Sequence, residues 1–240
     1  MTRAAPGERI EVYRAARAAV LGRIAAACRR AGRDPAAVTL VAVSKTVDPA
    51  ALRDAVAAGL DLLGENRVQE AAAKAPLVPG ARWHLVGPLQ ANKVRRTLEV
   101  FVAVQSVDSV GLAERIDRLA REIRPGERYS IFLQVNVDDD PAKAGFAPAA
   151  LQAAILRIAE LDGLDARGLM TIGRLRAESA SARPTFQRLR RLSDDLRDAG
   201  LPIGAELSMG MTDDFEIAVE EGATIVRVGR ALFGERRPAE

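Results

Sequence analysis

One cysteine, one histidine and two tyrosines in 240 residues leave several chemistries without their raw material. The lone Cys28 excludes an internal disulfide and a cysteine-rich metal site. Its place among alanines in a helical N-terminal stretch predicts a buried thiol in a reducing cytoplasm. With a single histidine beside it, neither a zinc site nor a Ser-His-Asp triad is expected. Aromatic residues are only 4% of the chain and the net charge is +3. Arginines alternate with carboxylates along 112–128 and 183–198, the pattern of solvated helix faces, and there is no basic stripe interleaved with aromatics for nucleic acid. No apolar run approaches the roughly 18 residues of a membrane span. The N-terminus mixes acids with arginines and lacks the apolar centre of a secretory signal. A soluble, unexported protein with no nucleic-acid or membrane partner is the expectation.

What is present is the ordinary mixture of a globular protein with a sizeable core, 48% hydrophobic and 28% charged. After a helical segment at about 8–31, short β-rich runs alternate with longer helical patterns, as in a parallel sheet built of βα units. Eight such runs are legible: Thr39–Ser44, Leu60–Gly64, Arg82–Val86, Val100–Gln105, Tyr129–Val137, Leu164–Met170, Ala205–Ser208 and Thr224–Val228. Several are nearly continuous apolar stretches, as strands covered on both faces require. Asp48-Pro49 places an N-cap before a proline at the first helical position, and Asp213 with Glu216 reads as a capping box. The count and the length favour a closed (β/α)8 TIM barrel over an open sheet, with residues 1–240 forming one domain and no linker to divide it.

In such a barrel the working groups stand where strands end and loops begin. Lys45 closes the run Val41-Ala42-Val43-Ser44 and is either a lysine that snorkels to solvent or a partly desolvated amine nucleophilic toward a carbonyl. The segment Ser208-Met209-Gly210 and the turn Arg227-Val228-Gly229-Arg230 together suggest a phosphate site after strands seven and eight. Gly229 to Gly234 has Walker-loop spacing, but Glu235 and Arg236 stand where the lysine and hydroxyl are needed. Asp138-Asp139-Asp140 lacks the glycine and distal glutamate of a calcium loop and reads as a solvated turn. His84, inside the third strand, is either a satisfied interior histidine or a cofactor contact.

These motifs together resemble the YggS/PROSC family of pyridoxal-phosphate homeostasis proteins, whose barrel is similar to the N-terminal domain of alanine racemase. The matches run along almost the whole chain. They include Val43-Ser44-Lys45-Thr46, Gly64-Glu65-Asn66 with Val68-Gln69-Glu70, Trp83-His84 with Gly87-Pro88-Leu89-Gln90-Ala91-Asn92-Lys93, and Lys143 with Gly145. Further along stand Arg167-Gly168-Leu169-Met170, Leu207-Ser208-Met209-Gly210-Met211 with Asp213-Asp214-Phe215, and Arg227-Val228-Gly229.

The resemblance implies that Lys45 carries pyridoxal 5′-phosphate as a Schiff base. It implies that Ser208 and the backbone around Gly229 and Arg230 hold the phosphate, that Arg227 faces the pyridine nitrogen, and that Asn66 and Met209 line the ring pocket. Arg230 departs from the threonine or serine expected there, so a guanidinium takes the place of a hydroxyl. An arginine opposite the ring nitrogen disfavours its protonation and weakens the ring as an electron sink. The second base of a racemase comes from a second domain that this chain is not expected to have. The function expected is a cofactor-binding protein of vitamin B6 and amino-acid homeostasis, not an enzyme, with apo-enzymes of the same cofactor as partners. A single-base amino-acid racemase and a barrel binding some other phosphorylated ligand are the rivals. The N-terminal helix can cover barrel surface within its own chain, and a monomer is expected.

Overall fold

The computed structural model describes residues 6–173 and 182–234. Eight parallel strands close in sequence order into a barrel: β1 (Thr39–Val43), β2 (Leu62–Glu65), β3 (Arg82–Leu85), β4 (Ala103–Val107), β5 (Tyr129–Gln134), β6 (Leu164–Met170), β7 (Glu206–Ser208) and β8 (Ile225–Val228). β8 returns to pair with β1, with Val41 opposite Arg227 and Ala42 opposite Val228. The helices between them are α2 (Pro49–Ala57), α3 (Val68–Lys74), α4 (Val94–Val100), α5 (Val110–Ile123), α6 (Leu151–Ala159), α7 (Arg183–Asp198) and α8 (Phe215–Glu220). A single turn, α9 (Arg230–Phe233), follows the last strand.

Alternation of side chains along each strand divides the core in two. Val41, Leu62, Ala103, Phe132, Met170 and Ile225 fill the barrel interior. Their strand neighbours, such as Ala42, Leu63, Leu85, Val104, Leu133 and Val226, join the larger layer between sheet and helices. The expected TIM barrel is therefore the observed architecture, with apolar strands because both faces are buried.

Helix α1 (Pro6–Arg30) lies across the seam where the barrel closes, against α2, α8 and α9. Val20, Ile24, Ala27 and Cys28 recur at helical spacing and are buried there, which accounts for the inert setting of the thiol. Arg23 stacks 4.5 Å above the ring of Phe215 and pairs with Glu216, while Arg33 donates to the carbonyls of Val219 and Ala223.

Five expectations need correction. The fourth strand begins at Ala103, not Val100, because Val100 ends α4 and the amide of Phe101 still bonds back to the Thr97 carbonyl. The fifth strand ends at Gln134, where an isolated bridge from Val135 to Phe146 takes over. Leu60 is not in β2, since its amide closes the end of α2 on Ala55. The capping box is not made: Asp214 is the N-cap of α8, Asp213 pairs with Arg230, and Glu216 with Arg23. Asp48, by contrast, caps α2 as expected, accepting from the Ala51 amide at 3.0 Å. The acidic turn is solvated only in part: Asp139 is exposed, but the Asp138 side chain is 2% exposed and accepts from Thr185 and Arg188 of α7.

Candidate functional site

The C-terminal ends of the strands gather the polar residues that the apolar strands lack. Lys45 stands two residues beyond β1, half-buried, just before Thr46, whose backbone takes φ 68°. That left-handed conformation is uncommon for a β-branched residue and marks a sharply bent turn. Behind the turn is a buried ion pair. Glu65, with no exposed side-chain surface, accepts from Lys74 Nζ at 2.5 Å and from Ser44 Oγ at 3.2 Å. Lys74 Nζ also donates to the Ser44 carbonyl at 3.1 Å, and the Asn66 amide lies 3.3 Å from the second Glu65 oxygen. Ends of β1 and β2, and with them Lys45 and Asn66, are thus tied through one carboxylate. Burial raises the Glu65 carboxyl above its ordinary value, while the bond and charge of Lys74 pull it down.

Inside the barrel, Arg227 of β8 is 5% exposed, on the strand paired with β1. It donates through Nη1 to Ser208 Oγ at 2.6 Å and through Nη2 to the Thr171 carbonyl at 2.8 Å. Both direct partners are neutral, and Asp214 acts on it only electrostatically. Burial lowers the guanidinium to about 10, so it remains a cation at neutral pH. His84 is half-buried on β3, and its Nδ1 lies 2.8 Å from Gln105 Nε2. Burial pushes the imidazole down to about 4, with the charge of Arg82 acting the same way, so the ring is neutral.

The β7 and β8 ends meet the Lys45 turn. Gly210 takes φ 91°, and an added Cβ would stand 2.5 Å from that of Ala218 and 2.9 Å from the Phe215 Cα. Only glycine fits that left-handed, crowded position. The Gly229 amide donates to Thr212 Oγ1 at 3.3 Å, and a Cβ there would lie 3.3 Å from the Val43 carbonyl. The first amides of α9, which follow directly, have no acceptor within the helix.

The expected residues are distributed as follows. Lys45, Asn66, Gly229 and Arg230 stand just beyond the ends of β1, β2 and β8, Ser208 is the last residue of β7 and bonds to Arg227, and Arg227 and His84 lie within β8 and β3. Met209 is fully buried, and its side chain belongs to the layer between sheet and helices. Arg230 turns outward to Asp213. Gln105, Thr171, Asp214 and the Glu65–Lys74 pair were not anticipated. Gln105 could have been suspected as the one amide in the buried run Ala103–Val107, whereas nothing in the sequence pairs Lys74 with Glu65.

Comparison with known proteins finds relatives along nearly the whole chain. Residues 18–237 match the family model described as the alanine racemase N-terminal domain. The pyridoxal phosphate homeostasis protein of Pseudomonas aeruginosa is 46% identical over 223 residues, spanning 91% of this chain and 94% of that protein. The protein of the same name from Escherichia coli K12 is 38% identical over 91% of this chain and 94% of its own. A solved structure of PipY from Synechococcus elongatus with PLP bound superposes with a TM-score of 0.77 at 42% identity, over 90% of this chain and 100% of PipY. Alanine racemase of Clostridium difficile shares the fold at 16% identity, with a TM-score of 0.66 over 85% of this chain and 53% of the racemase. With a closed eightfold barrel, a buried arginine beside the strand that leads to Lys45, and relatives of this identity along nearly its whole length, the chain belongs to the pyridoxal phosphate homeostasis protein family.

Proposed function

We propose that this chain holds pyridoxal 5′-phosphate as a Schiff base on Lys45 and serves vitamin B6 and amino-acid homeostasis by reversible carriage of the aldehyde, not by turnover. The observation that carries the reading is Arg227, a buried cation whose direct partners among the described residues are neutral, on the strand paired with β1. Arg227 is level with Val41, so Lys45 lies four residues, roughly 13 Å, further along the strand direction. A lysine side chain and one aromatic ring span that gap. The residues fit the cofactor in kind: an amine, a charged donor for the ring nitrogen, the Ser208 hydroxyl and the backbone of Gly229 and Arg230 for the phosphate, and Asn66 and His84 around the ring, while the Met209 side chain packs on the outer face of the sheet.

When bound, the cofactor supplies an aldehyde and an aromatic ring that can withdraw electrons. Lys45 would hold the aldehyde as an imine, with water as the leaving group, and exchange with a second amine would return the free Lys45 amine, which makes delivery to apo-enzymes chemically reasonable. Arg227, protonated at neutral pH, would donate to the ring nitrogen without handing over its proton. The ring remains a weak electron sink, which supports a binding protein over an amino-acid racemase. We place this exchange in the cytoplasm and between a monomer and its recipient enzymes.

The test is a near-ultraviolet and visible spectrum of wild type and Lys45→Ala after adding pyridoxal phosphate and removing the excess. An imine band present in the wild type and absent from the variant is expected. Its absence from both proteins would overturn the reading, and sustained turnover of a chiral amino acid by the wild type would overturn the carrier role.

A further inference from the structure

Four side chains cross the barrel interior in one unbroken line. Arg227 Nη1 lies 2.6 Å from Ser208 Oγ, Ser208 Oγ lies 2.7 Å from Gln105 Oε1, and Gln105 Nε2 lies 2.8 Å from His84 Nδ1. They come from β8, β7, β4 and β3, and Ser208 and Gln105 have no exposed surface. Such a chain has a direction, set by the arginine at one end and by the orientation of the Gln105 amide. A guanidinium only donates, so Ser208 Oγ accepts from Arg227. The Gln105 oxygen faces Ser208 and can only accept, so the hydroxyl proton goes to it and the amide presents its NH2 to the histidine. Nδ1 therefore accepts. A neutral imidazole has one accepting and one protonated nitrogen, so the proton sits on Nε2.

We infer that Gln105 is a positioning residue that locks His84 in the neutral Nε2–H tautomer and couples it to Arg227, making the histidine a fixed hydrogen-bond donor and not a base. Protonating Nδ1 would set an N–H against the Gln105 NH2, which a buried site punishes as an unmade bond. The charge that bears on the ring is cationic, Arg82 on its own strand. Burial of the ring acts in the same direction. A ligand edge that reaches Nε2 must therefore offer an acceptor atom; an ammonium group there is rejected. This consequence rests on the cofactor reading, but the tautomer does not, being a property of the protein without ligand.

His84 is the one histidine in the chain, so 15N-labelled protein gives a single imidazole spin system. Long-range proton–nitrogen correlation is recorded at neutral pH with no pyridoxal compound added. An unprotonated Nδ1 and a protonated Nε2 are expected in the wild type. Gln105→Glu offers only acceptors to the ring and is expected to protonate Nδ1. Gln105→Met offers neither and is expected to release a mixture of tautomers. A wild-type spectrum with the proton on Nδ1, or one with both tautomers populated, overturns the inference even where the variants fail to fold. An unchanged pure tautomer in folded Gln105→Met overturns the role of Gln105. Loss of the Lys45 imine band with the expected wild-type tautomer would count against the cofactor reading alone.

Discussion

Replacing Lys74 with methionine would leave Glu65 a carboxylate without its cation in a site with no exposed side-chain surface. Removing one partner of a buried ion pair costs about 3–5 kcal/mol, because the remaining charge keeps its desolvation penalty and loses its compensation. Ser44 Oγ at 3.2 Å and the Asn66 amide at 3.3 Å still donate to the carboxylate, which places the expected loss near the lower end, about 3 kcal/mol. The loss must also depend on pH with a definite sign. Burial already raises the Glu65 carboxyl above 4.5, and the Lys74 bond and charge are the largest opposing influences. Without them the folded-state value rises further. A raised acid favours the folded state below its unfolded value and loses that advantage as pH rises through the folded value. The deficit of Lys74→Met is therefore greatest under alkaline conditions and shrinks on acidification toward pH 4.5, by at most about 1.4 kcal/mol per pH unit. Urea unfolding at a series of pH values, with unchanged slope, measures it. The double variant Glu65→Gln with Lys74→Met, in which no buried charge remains, should lose less than Lys74→Met at alkaline pH. A deficit under about 1 kcal/mol at alkaline pH, or one that does not change with pH, would refute the assignment of a buried, Lys74-compensated carboxylate.

Gly87→Ala places a Cβ 2.4 Å from the Asn66 carbonyl oxygen and 2.7 Å from its Cα, backbone atoms that cannot rotate away. A destabilisation of about 1–3 kcal/mol is expected in urea unfolding, together with weaker retention of pyridoxal phosphate after gel filtration. Asp48→Ala should cost about 1 kcal/mol through loss of the α2 cap. Glu216→Ala should change stability by under about 1 kcal/mol in the same assay, since it gives up a partly exposed pair with Arg23 and no cap.

Much of the barrel was legible because its physics is local. Apolar runs bounded by glycine and helix caps mark strands covered on both faces, and β6 was bounded correctly at both ends. The boundary errors share a cause. At Val100-Phe101 and Leu60 an apolar residue serves the end of a helix and not the start of a strand, and hydrophobicity does not separate the two uses. The capping box failed because Asp214, not Asp213, takes the N-cap position and turns its carboxylate back to the Met211 amide, while Asp213 pairs with Arg230.

By itself, the sequence determined the class of fold, the positions of Lys45 and Arg227 relative to strand ends, and the family. These depend on residue order, side-chain alternation and collinear motifs. Tertiary structure alone decided which polar groups meet. Gln105 and Ser208 are 103 residues apart and touch because β4 and β7 face one another across a closed barrel. The Asp138 side chain is buried, although its neighbours are acids, because α7 arrives over it with Thr185 and Arg188. A buried polar atom needs a partner wherever the chain supplies one, and only closure of the barrel determines which partner is within reach.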